Sequence, residues 1–244
     1  MKHLALGLAA YLLALLFTPP ATLVDAAVRH ASDGVLRVAE ARGSIWSGAG
    51  QLELVDSLRH AGVAKAVSWH LLPTSLWRGH VVYEVQLADA SAPAHVTISP
   101  SQLELADAVL EIPAGAIVIA APKLAPAQLT GDLSISTAHM IVDRSGVRGS
   151  ATLRWRNAGS GLSPVAPLGE YEMHVDSDEA GMRATLATVK GPLELKGHGS
   201  WRRETPSAFS ATARMPPEYV EQIAPLLRLI ASESADGTFQ LVLR

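Results

Sequence analysis

The sequence contains no cysteine. That excludes disulfides, thiolate metal sites and a cysteine nucleophile, and leaves the compartment to be read from other residues. Aromatic residues make up only 5% of the chain, so each tryptophan is a landmark. No lysine or arginine run occurs and the net charge is −3. Nothing therefore draws the chain toward a phosphate backbone, and nucleic acid is not expected as a partner. No low-complexity linker divides the 244 residues. The length would serve two small domains or one large one, and a single extended domain is the simpler reading.

Motifs of chemistry are equally scarce. The nine histidines form no HExxH and no pair at metal-ligand spacing, so His70, His95, His139, His174 and His198 read as solvent-exposed residues. No GxSxG occurs, and Gly159-Ser160-Gly161-Leu162-Ser163 lacks the strand-turn-helix setting of a nucleophile elbow. Glu170 and Glu172, or Asp176, Asp178 and Glu179, are spaced for a wet strand face and its turn, without the spacing of a calcium loop. No catalytic residue, metal ligand or cofactor is assigned.

What the chain has is apolar character: 48% hydrophobic residues and a mean hydropathy of +0.21. Part of this lies at the start, where Lys2 and His3 precede an uncharged apolar run from Leu4 to Phe17, interrupted by Thr18-Pro19-Pro20. The run is shorter than the roughly 20 residues that span a bilayer, although Ala21 to Val24 could extend it to Asp25. Residues 1–25 therefore read as a transmembrane anchor or as an export signal with a small-residue cleavage site near Val24-Asp25-Ala26. In either case Lys2 stays on the cytoplasmic side and residues 26–244 face outward, into the periplasm of a Gram-negative cell. The expected location is the inner membrane, crossed once, with the C-terminal domain periplasmic.

Beyond a polar helical or coil connector from Ala26 to Val38, apolar and polar residues alternate almost to the end. Val81, Tyr83, Val85 and Leu87 share one face, and the pattern returns at Leu133 and Ile135, Ala151 to Trp155, Tyr171 to Val175, Met182 to Leu186, Phe209 to Ala213 and Phe239 to Leu243. Such strands have one buried and one wet face and pair antiparallel. The spacing of Val220, Ile223, Leu227 and Ile230 after Pro216-Pro217 predicts one helix up to about Ser232, kinked or divided at Pro225. The fold class is mainly β: an N-terminal transmembrane helix, then an extended antiparallel sheet or sandwich with one C-terminal helix.

Arg42-Gly43-Ser44-Ile45-Trp46-Ser47-Gly48-Ala49-Gly50 opens onto a strand, which excludes a helix-borne phosphate site and makes it the opening turn of the β domain, with Trp46 as its anchor. Trp69 and Trp155 lie in two similar strand contexts, a hint of two weakly related halves. Trp46, Trp69, Trp155 and Trp201 are the residues singled out, as core anchors or as contacts for a partner peptide or acyl chain; Trp77 completes the five.

At this point the chain resembles the type II secretion system protein N family. The resembling segments are Gly43 to Gly48, Ser68 to Leu76 with Gly79, Leu129 to Leu133, Gly149 to Ala158, Pro167 to Tyr171, Lys190 to Gly197 and Asp236 to Phe239. They occur in family order and cover nearly the whole chain. The resemblance implies a bitopic inner-membrane protein with a periplasmic β domain, a non-catalytic accessory of the machine that exports folded proteins across the outer membrane, and other secretion subunits as partners. The competing expectation is a lipid-handling module presenting an apolar face of its sheet to acyl chains.

Overall fold

The computed structural model describes residues 18–55, 61–120, 122–202, 205–228, 231–233 and 238–243. The apolar run from Leu4 to Phe17 lies outside them, as does Ile230. Among the described residues no helix is long and apolar enough to cross a membrane. Secondary structure is predominantly β with antiparallel pairing and a short C-terminal helix, as expected from the alternation. The chain divides at Thr97/Ile98 into two compact units.

The first unit begins with a helix, one of the two forms expected of the connector, and with one strand more than the sequence pattern indicated. Helix α1 (Thr22–Ala31) has Asp25 in its first turn and Arg29 and His30 in its last, an arrangement that complements the helix dipole. Ser32 ends it, its hydroxyl donating to the Val28 carbonyl at 2.8 Å and accepting from the Leu36 N–H at 2.9 Å. Strands β1 (Leu36–Gly43), β2 (Ser47–Val55), β3 (Ala61–Leu71), β4 (Val81–Leu87) and β5 (Ala94–Ile98) follow in spatial order as a meander. The expected connector to Val38 is thus α1 plus the start of β1. Val24 and Val28, one helical turn apart, pack with Ala21, Val38, Val67 and Trp69 in the core of this unit. The outer edge of β1 is occupied as well: the Asp25 carboxylate accepts the Val38 N–H at 2.9 Å.

The second unit carries β6 (Gln102–Pro113), a helical connection containing α2 (Ile117–Ala120), then β7 (Leu129–Asp143), β8 (Gly146–Ser160), β9 (Gly169–Asp178), β10 (Gly181–Lys190), β11 (Glu194–Arg202) and β12 (Thr205–Arg214). Each pairs antiparallel with the next. Two of the hairpins use one device. The carboxylate of Asp143 accepts the N–H groups of Ser145 and Gly146, and that of Asp178 those of Ala180 and Gly181, with both glycines at positive φ.

After β12 comes helix α3 (Val220–Leu227), preceded by a 3-10 turn at Pro217–Tyr219, with Pro225 inside it. The helix is shorter than its apolar spacing indicated. The strand β14 (Phe239–Leu243) returns beside β12, with the two-residue β13 (Ser232–Glu233) at the edge. Ile223 and Phe239 are fully buried and form the centre of this unit's core with Leu168, Leu193, Ala213 and Leu227. Burying each of the two large side chains contributes about 1.5–3 kcal/mol.

Candidate functional site

The tryptophans take distinct positions. Trp69, on β3, is 6% exposed; its indole N–H donates to the Ser44 carbonyl at 3.1 Å. Trp46 is half-buried in the turn between β1 and β2, where its carbonyl accepts the Leu71 N–H at 2.7 Å. In the second unit, half-buried Trp155 on β8 donates its indole N–H to the Thr130 carbonyl at 2.9 Å, and its ring lies 5.9 Å from that of Tyr171. Both indole bonds span 25 residues, so each unit uses a tryptophan to tie a strand to the start of the preceding one. Trp201 on β11 stacks on Phe209, centroids 6.3 Å apart. The fifth, Trp77, is 94% exposed.

Two features of the second unit are suited to binding. One is a partly open apolar cavity of about 150 Å³ bounded by Trp155, Tyr171, Leu186, Phe209, Leu227 and Phe239 among others. The other is a row of exposed apolar side chains across three strands. Leu103 on β6 pairs with Val142 on β7, and Val142 with Val147 on β8. Directly paired residues share a face, and these are 38%, 39% and 44% exposed. Arg148 borders the row, paired with Asp143 and with Glu179 at 3.2 Å. An apolar strip rimmed by charge is the anatomy of a protein-docking surface.

The titratable groups form surface networks. The Ser145 hydroxyl and N–H lower the pKa of Asp143, with Arg148 adding to the effect. Arg154, hydrogen-bonded to Glu172, lowers that carboxyl too, and His174 contacts the same group at 2.7 Å. Burial raises the Tyr171 phenol well above the usual tyrosine range; its hydroxyl lies 3.0 Å from the Leu193 carbonyl and 3.2 Å from that of Leu168. Among the described residues, no group of three or more histidine, aspartate or glutamate side chains could hold a metal ion. The geometry offers packing and contact surfaces rather than an acid–base pair poised on a cleft.

Neither the curated proteins nor the solved structures include a match to this chain. A family model does match: type II secretion system (T2SS), protein N, over residues 35–242. The chain belongs to the type II secretion system protein N family. The match takes in every strand from β1 to β13 and nearly all of β14, so the whole meander, and not one hairpin, carries the family's pattern.

The exposed row was not foreseen from the sequence. A signal was available: Val142-Asp143-Arg144-Ser145-Gly146-Val147 carries an Asp turn that places Val142 and Val147 opposite each other. Leu103 could not have been added without the register of β6.

Proposed function

We propose that this protein N acts as a non-catalytic accessory subunit of the type II secretion apparatus, held at the inner membrane by its N-terminal apolar segment, with both β units in the periplasm. The family match carries the reading. Docking on other subunits falls to the apolar row Leu103, Val142 and Val147 rather than to a free edge of the first unit, because β1 is already covered by α1 through Asp25. The test is deletion in the host followed by complementation. Secretion of folded substrates should fall, wild-type protein should restore it, and Val142→Lys should restore it poorly while accumulating normally. Unchanged secretion on deletion, with no apparatus subunit co-purifying, sinks the proposal.

The lipid-handling alternative draws on the apolar cavity. At about 150 Å³ it holds roughly five water volumes of about 30 Å³ each, below the roughly 300 Å³ at which ligand pockets begin. A short apolar group fits; a whole acyl chain needs the cavity to open further. Native mass spectrometry of the full chain, looking for a co-purifying lipid, decides this reading.

A further inference from the structure

The 3-10 turn Pro73–Arg78 joins β3 to β4 and presents Trp77 at 94% and Leu76 at 48% exposure. The turn itself is well held. The Ser75 hydroxyl is 7% exposed, donates to the Leu72 carbonyl at 2.7 Å and accepts the Val82 N–H at 3.1 Å, and Gly79 closes the turn at φ +77. A rigid mount that holds out the largest apolar side chain in the sequence is not a by-product of packing.

Where this turn sits identifies what it meets. At the same end of the sheet, the Ile45 N–H donates to the Pro19 carbonyl at 3.0 Å and the Ala21 N–H to the Gly43 carbonyl at 3.2 Å. The segment following the Leu4–Phe17 run is thus fixed to the β1–β2 turn. That turn is bonded in its own right to the end of β3, Leu71 N–H to Trp46 carbonyl at 2.7 Å, two residues before Pro73. A six-residue 3-10 turn is only about 12 Å long. Trp77 therefore lies at the same end of the first unit as Pro19 and Ala21, the described residues that follow the apolar run. Stretches 41–50 and 71–80 contain Arg42, Arg78 and His80 and no carboxylate; Glu40, just outside, pairs with Arg42 at 3.7 Å. Tryptophan beside arginine, in turn segments that contain no carboxylate of their own, is the composition of a bilayer interface facing anionic headgroups.

We propose that Leu76 and Trp77 insert into the headgroup region of the bilayer that holds the N-terminal segment, so that the first unit lies against the membrane by its β1–β2 and β3–β4 turns. The inference rests on the membrane tether proposed above. The absence of cysteine gives a clean test in the full chain. Thr74→Cys, exposed on the same turn, and Ser91→Cys, exposed beyond the far end of β4, are each labelled with an environment-sensitive fluorophore and reconstituted with phosphatidylethanolamine/phosphatidylglycerol vesicles containing brominated lipid. The Thr74 label should be quenched and the Ser91 label not, and adding Trp77→Ser should remove most of that quenching while thermal melting is unchanged. Protein that floats with the vesicles but shows no Trp77-dependent quenching overturns the insertion and leaves the tether standing. Protein that does not float at all overturns both.

Discussion

Gly48 faces Trp69 across the β2–β3 pair, and the side chain it lacks is the space the indole occupies: a Cβ there would come within 2.5 Å of ring carbon Cζ2 and of the Arg42 carbonyl oxygen. One partner is backbone and cannot give way. Gly48→Ala should therefore cost about 1–3 kcal/mol, seen as a lower denaturation midpoint with an altered tryptophan emission. An unshifted midpoint would mean that the ring does not occupy this position.

Trp69 and Trp46 should separate cleanly. Trp69 is 6% exposed and loses both its packing and its bond to Ser44 on truncation, so Trp69→Ala should cost about 3–5 kcal/mol. Trp46 is only half-buried, so its truncation exposes less apolar area. Trp46→Ala should cost less than half as much by urea denaturation; equal losses would make the two rings equal anchors of the first unit.

Tyr171 makes the second unit sensitive to alkali. Its buried phenol has a raised pKa, so above about pH 10, the ordinary tyrosine value, the unfolded chain gives up its proton first. Stability contributed by the protonated phenol is complete below that pH and is lost as pH rises toward the folded pKa. Tyr171→Phe should cost about 1 kcal/mol at neutral pH, through the lost bond to a buried carbonyl, and should flatten the alkaline decline in melting temperature. A variant with the wild-type alkaline slope would contradict the assignment.

Ala213 is 5% exposed and borders the apolar cavity. Filling it with Ala213→Val should raise stability by about 0.5–2 kcal/mol if the cavity is empty in solution. The same change should abolish uptake of any small apolar ligand. A destabilised variant measured by calorimetry would show that the cavity is not free to be filled.

How far the sequence carried depends on which strands have a single wet face. In β9, Tyr171 and Val175 were legible because Glu170, Glu172 and His174 mark the opposite side at a strict period of two. β6 was not, because Asp107 takes φ +55 in its middle and the apolar parity changes there, with Leu103 and Leu105 before it and Ala108, Leu110 and Ile112 after. A count by twos loses its phase across such a residue. α1 was legible only in part, as a helical or coil connector from Ala26. Of its two core contacts, Val24 reads equally well as the tail of a membrane segment ending at Asp25, and Val28 alone gives the connector no apolar spacing. The tryptophans were recognisable as landmarks, but only register separates the buried Trp69 from the protruding Trp77.

The order of the strands bears on how the chain becomes structured. From β6 to β12 each strand hydrogen-bonds to the one made just before it, so a chain leaving a narrow opening N-terminus first can add hairpins one at a time without waiting for distant sequence. The last step differs: Phe209 on β12 meets Leu243 on β14 only after α3 has been passed. Completion of the second unit's core, with Ile223 and Phe239 at its centre, is thus deferred to the final residues, and truncating the chain before β14 should leave an assembled sheet with an exposed apolar end.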